Sequence, residues 1–239
     1  MITFKNGASS EYIDGFCRIF GDKRDFATFV IGSAQNVIEI YEDNIFCGGA
    51  CLFDISIKSE FGLKSGSYIY GAFIVENARG RGLFKKLCAY IHSYCQDEFY
   101  DFILTIPATK ELFSTYKRLG FTIEVKGLNS LLGEVSITRT PKGTEYTSFD
   151  GNYQDLYRLH IANDYLIKDF DLFKKTIKDF EVKILSKDGV RGYALYSNGV
   201  RIYVSAPFVG YKPAKKALIM PITDISVPDG MLCDMLFEI

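Results

Sequence analysis

Phe73-Ile74-Val75-Glu76-Asn77-Ala78-Arg79-Gly80-Arg81-Gly82-Leu83-Phe84-Lys85-Lys86-Leu87 is the stretch on which the fold turns. It reads as a buried strand that runs into a glycine-punctuated turn, and the turn opens a helix. The first amides of a helix have no partner within it, and they point outward with the positive end of the dipole. Glycines let the backbone bend sharply and let a ligand come close. Such a turn is a cradle for a phosphate or pyrophosphate, with Arg79 and Arg81 adding charge at its rim. It is too short for a P-loop, and it lacks the three-glycine dinucleotide fingerprint.

From Gly80 to Cys95 the apolar positions Leu83, Phe84, Leu87, Cys88, Ile91, Tyr94 and Cys95 fall on one helical stripe, with Lys85, Lys86 and Gln96 mostly off it. Upstream, Ser9 or Ser10 caps a helix to about Phe20, and Asp22 starts a second helical stretch towards Ala34. Val37–Tyr41 alternates as a strand. Asp43-Asn44 makes a turn, and Ile45–Ile57 returns as a longer strand with a bulge at Gly48-Gly49. Ser67–Val75 is the next strand, buried on both faces from Ala72. Downstream come a short strand at Phe102–Ile106, a helix capped by Thr109 and stopped by Gly120, and a strand at Phe121–Val125. The order specifies an α+β fold, a mixed sheet with helices packed on it.

Breakers at Thr140-Pro141-Lys142-Gly143 predict a domain boundary, giving a first domain over 1–139 and a second, smaller α+β lobe over 140–239. The lobe reads as a strand near Tyr146, helices over 152–163 and 169–179, strands at 181–186, 190–197 and 200–206, and a last strand over Met231–Phe237.

Composition narrows the function. The 239 residues are 48% hydrophobic and 24% charged, which suits a folded core. A formal net charge of −1 gives no field to hold a polyanion, so nucleic acid is not an expected partner. No run of eighteen apolar residues predicts a membrane span, and the N-terminus does not read as a secretory signal. The six cysteines include no C-x-x-C pair and there are two histidines, so no metal is expected. Reduced cysteines serving as small core residues point to a cytoplasmic location.

The turn resembles the coenzyme A-binding motif of the GNAT superfamily of N-acetyltransferases, Arg/Gln-x-x-Gly-x-Gly/Ala. Arg79-Gly80-Arg81-Gly82-Leu83-Phe84 matches it except for Phe84 at the final small position. Read two residues earlier, Asn77 to Gly82, the glycines fit but Asn77 replaces Arg/Gln. Leu112–Phe121 is similar to the family's helix ending in Leu-Tyr-x-x-x-Gly-Phe. The resemblance implies Tyr116 as the general acid towards the coenzyme A thiolate, and Thr109 where the family often carries a cofactor-binding asparagine. It implies that acetyl-coenzyme A is the cosubstrate, with its pantetheine arm along the backbone of Phe73, Ile74 and Val75. An amide near Val75 would polarise the thioester, and the pyrophosphate would lie over Gly80, Arg81, Gly82, Leu83 and Phe84. Glu76 is a candidate base from its place just after the strand.

The expected acceptor is the amine of a small molecule. A sensor that binds coenzyme A without catalysis is the alternative, favoured by Phe84 and Thr109. Val190–Tyr196 looks like a strand in the C-terminal parts of tandem GNAT proteins such as the enhanced-intracellular-survival group. In that group the terminal carboxylate can serve as base, a role that the resemblance carries to Ile239.

Overall fold

The computed structural model describes residues 1–59, 61–127, 142–164, 166–205, 215–225, 227 and 232–233. In chain order its elements are β1 (Ile2–Asn6), α1 (Ser10–Phe20), α2 (Arg24–Ile31), β2 (Asn36–Glu42), β3 (Ile45–Ser59), β4 (Gly62–Ile74), a 3-10 turn (Glu76–Ala78), α3 (Leu83–Asp97), β5 (Phe102–Thr105), α4 (Lys110–Arg118) and β6 (Ile123–Gly127). There follow β7 (Glu145–Ser148), α5 (Tyr153–Asn163), β8 (Leu166–Lys168), α6 (Phe170–Ile177), β9 (Glu181–Lys187), β10 (Val190–Ser197), β11 (Val200–Val204), β12 (Lys215–Pro221) and β13 (Leu232–Cys233).

The chain forms two compact units. Met1–Ser56, Lys64–Glu124 and Ala217–Ile225 make the first; Ile57–Leu63, Val125–Lys216 and Ser226–Ile239 make the second. The boundary expected at 139/140 lies outside the described residues, as do Met231 and 234–237 of the predicted last strand.

The first unit is a mixed sheet in the order β1-β2-β3-β4-β5-β12-β6. β1 and β2 are antiparallel, as are β2 and β3, whereas β4 and β5 are parallel. Asp43 and Asn44 both take positive φ, 50° and 63°, which is the hairpin turn whose twist matches the strands it joins. At α1 the cap is Ser9, whose hydroxyl accepts from the Tyr12 N–H at 3.1 Å. The helix buries Tyr12 and Phe16 completely.

On α3 the buried residues are Leu83, Leu87, Cys88, Ile91 and Cys95, while Lys85 and Lys86 are exposed, as the helical period predicts. Each such large apolar side chain contributes about 1.5–3 kcal/mol on burial. Cys17, Cys47, Cys51, Cys88 and Cys95 are free thiols. Burial pushes Cys51, Cys88 and Cys95 up to about 12, which keeps them protonated and unreactive.

β12 is absent from the sequence reading. It inserts antiparallel beside β5, with Leu218 opposite Thr105 and Pro221 opposite Phe102. Ala217, Leu218 and Ile219 are fully buried. The end of the strand is held at one residue. The Asp101 carbonyl accepts from the N–H groups of Ile222 and Thr223 at 2.8 and 3.0 Å, and its carboxylate accepts from the Thr223 hydroxyl at 2.7 Å.

The second unit contains an antiparallel sheet, β11-β10-β9-β7. α5 and α6 contribute Leu156, Phe173 and Ile177 to a core completed by Val182, Tyr193, Leu195 and Tyr203. Inside it sits a polar cluster. His160 Nδ1 lies 2.6 Å from Asp164 Oδ2, and the Tyr193 hydroxyl donates to the same oxygen at 2.9 Å. The Lys168 N–H donates to His160 Nε2 at 3.2 Å, so the network assigns a neutral imidazole with its proton on Nδ1.

Burial holds His160 below its ordinary value of 6.5, only partly offset by Asp164. The unfolded imidazole therefore takes up a proton at a higher pH than the folded one. The stabilisation is complete above pH 6.5 and is lost as pH falls below it. We expect the second unit to lose up to about 1.4 kcal/mol per pH unit in that range. Amide exchange at Leu156 and Tyr193, read at pH 7.5 and pH 5.5, checks it. Equal protection at both values would show that His160 is already charged in the fold.

Candidate active site

The sheet of the first unit opens where β4 outruns β5. β4 pairs with β5 from Gly66–Phe102 to Ile69–Thr105, and there the pairing ends, although β4 runs on to Ile74. Gly71 takes φ 59°, a conformation that a side chain would strain, and a Cβ there would lie 2.3 Å from the Phe16 ring. The Tyr12 hydroxyl donates to the Gly71 carbonyl at 3.2 Å, so α1 packs onto this irregularity. Beyond it β4 stays bonded to β3, since the Val75 N–H donates to the Cys47 carbonyl at 2.9 Å. Alternation then turns the peptide groups of Ile74 and Ala72 towards the edge that β5 has left. The Val75 N–H is thus engaged with β3, and alternation leaves the adjacent Ile74 N–H on the open edge. Phe73 is buried and stacks on Tyr12 at 5.2 Å, so only its backbone lies along this strand.

The turn after β4 has the expected geometry. Gly80 and Gly82 take φ 77° and 72°, and a Cβ on either would meet nothing within 4 Å. Gly82 is the N-cap of α3 and supplies no side-chain bond, and no acidic residue lies in the first turn. α2 also starts without a side-chain cap, at Lys23, but carries Asp25 in its first turn; the contrast with the remaining helices is direct. α1, α4, α5 and α6 begin on capping side chains of Ser9, Thr109, Asn152 and Asp169, each with an acid in the first turn. The leading amides of α3, Leu83 and Phe84 among them, therefore face out of a space that a glycine backbone keeps clear, which suits an anion.

Both arginines are tied back onto the loop. Arg79 Nε donates to the Ile74 carbonyl at 3.1 Å. Arg81 pairs with Glu42 at 2.7 Å and also donates to the Asn77 carbonyl. These bonds hold the turn in shape, a role that no local pattern in the sequence announces.

Tyr116 on α4 is buried, with its ring edge-on to Phe84 at 5.5 Å and to Phe121 at 5.0 Å. Phe84 is half-buried and so joins the two motif segments through this contact. Burial raises the Tyr116 phenol above its ordinary value, Cys88 adds to the rise, and a hydrogen bond with Thr105 offsets part of it. Thr105 is the last β5 residue paired with β4. The Thr109 hydroxyl accepts from the Leu112 N–H at 3.2 Å and is engaged in capping α4.

Glu76 is exposed and lines an open groove of about 980 Å³. Glu11, Asp14 and Arg18 of α1, Phe46 of β3, and Arg79 line it too. The α1 residues escaped the sequence reading because nothing local brings α1 to the end of β4. Ile239 lies outside the described residues. Among the described residues no cluster of His, Cys, Asp and Glu is arranged to hold a metal ion, and no helix is long and apolar enough to cross a membrane.

No family model and no curated protein matches the sequence. Solved structures do match the fold, which is that of the GCN5-related (GNAT) N-acetyltransferases. A probable N-acyltransferase of unknown function from Enterococcus faecalis aligns with a TM-score of 0.60 at 12% identity, over 92% of this chain and 71% of that one. GCN5-related N-acetyltransferases from Anabaena variabilis and Kribbella flavida align at 0.57 and 0.55, with 14% and 15% identity. They cover 83% and 93% of this chain, which spans 56% and 66% of theirs.

Proposed function

We propose that the chain is a GNAT-family N-acetyltransferase that moves an acetyl group from acetyl-coenzyme A to a primary amine of a small molecule. One observation carries the reading: an uncapped, acid-free, glycine-led helix start directly follows a strand whose edge is open. That pairing suits a ligand with a pyrophosphate at one end and an extended amide-bearing arm at the other.

Acetyl-coenzyme A supplies the activated thioester. The amides of Leu83 and Phe84 hold the pyrophosphate over Gly80 to Gly82. The Ala72 peptide group receives the arm as an added strand, and the Ile74 N–H faces the thioester carbonyl, where negative charge develops. Tyr116 donates its proton to the departing sulfur, with Phe84 and Phe121 fixing its ring. Glu76 takes the proton of the attacking amine, directly or through water. The amine enters by the groove, where Glu11, Asp14 and Glu76 present carboxylates.

Calorimetric titration with acetyl-coenzyme A, followed by thiol release with a panel of primary amines, tests the reading. We expect binding together with amine-dependent release. Binding with no release across the panel would identify a sensor. Absence of binding would remove the whole assignment.

A further inference from the structure

A second open cavity in the first unit, about 570 Å³, lies along α3 from Lys85 to Ser93 and is bordered by Arg118, Leu119 and Gly120 and by Met220 and Pro221 of β12. Its lining includes Lys85, His92 and Arg118 and no carboxylate. Lys85 and His92 are seven residues apart on one face of α3, roughly 10 Å along its axis. Neither Lys85 nor Arg118 forms an ion pair among the described residues, and the Arg118 guanidinium donates only to the neutral Thr115 hydroxyl, at 3.3 Å. The carbonyls of Tyr116 and Lys117 at the end of α4 already accept from the N–H groups of Leu119, Phe121 and Gly120, so these acceptors do not compete for the cations. Unpaired cations around a cavity free of acids are a site for an anion.

The cavity begins in the first turn of α3, the same turn whose amides face the glycine cradle. We propose that it binds a phosphate monoester, the 3′-phosphate on the ribose of coenzyme A, through Lys85 and Arg118 with His92 as a further donor. This rests on the coenzyme A reading above and adds to it a preference between two cofactor forms that differ by one phosphate.

The test is calorimetric titration of the whole chain with coenzyme A and with dephospho-coenzyme A. Wild type, Lys85→Ala/Arg118→Ala and Lys85→Gln/Arg118→Gln are compared, with melting curves to establish that each is folded. Two exposed charge contacts predict that wild type prefers coenzyme A by about tenfold. In both double variants the ratio of affinities should fall to within about twofold of one, and in wild type it should shrink with added salt. Equal wild-type affinities, or a preference that survives in the variants, would overturn the cavity assignment and leave the coenzyme A reading standing. Binding of neither form would overturn both. Inorganic phosphate is the third probe: competition at concentrations near those of coenzyme A would show a site for free phosphate instead.

Discussion

Gly82→Glu is expected to weaken acetyl-coenzyme A binding by on the order of 10²-fold or more, about 3 kcal/mol. The residue has φ 72° and caps α3 with no side chain in the way. A glutamate there places a carboxylate where the phosphates approach and supplies the helix with an anion of its own, in competition with the ligand. It also strains the backbone by about 1–2 kcal/mol. Gly82→Ala separates the two effects, since it carries the strain without the charge, and it should lose much less affinity. Isothermal titration of both variants, alongside their melting curves, gives the answer. Affinity close to wild type in a folded Gly82→Glu protein would mean that the helix start holds no phosphate.

Tyr116→Phe is expected to lower the chemical step by about 10²-fold with little change in cofactor affinity, the size of a lost general acid. The ring stays packed on Phe84 and Phe121, so the contact between the motif segments survives. Because the phenol is raised above its ordinary value of 10, it stays protonated throughout the neutral and mildly alkaline range. The wild-type rate should therefore show no alkaline decline below pH 10 that disappears in the variant. A single-turnover rate equal to wild type would leave Tyr116 as a core aromatic.

Local chemistry made much of this legible. The turn at Gly80–Gly82, the caps at Ser9 and Thr109, the Asp43-Asn44 hairpin and the buried stripe of α3 follow from residue types and spacings within a few positions, and the structure has them. What stayed hidden depends on contacts far apart in the chain. β1 lies beside β2 and was not read as a strand. The Gly71 irregularity that opens the sheet is set by Phe16 and Tyr12, more than fifty positions earlier. Val75 is a buried strand residue as expected, yet which way its N–H points depends on Cys47 in a neighbouring strand. Arg81 reads as a rim charge, and its pairing with Glu42, 39 positions away, shows only in the fold. Ala217-Leu218-Ile219-Met220 is an apolar run of strand length, but nothing in it names β5 as its neighbour.

That last strand bears on how the protein is made. A ribosome delivers residues in order, and β5 and β6 emerge well before β12, which occupies the position between them. Until then β5 has an unpaired edge on the side that β12 will take, and the nascent first unit exposes backbone groups that invite pairing with other chains. Most of the second unit is synthesised in that interval. Its early folding would shorten the effective loop that must close when β12 arrives, and so lower the entropic cost of closure. A fragment ending after β6 would be born with a missing strand, and no waiting time would supply it.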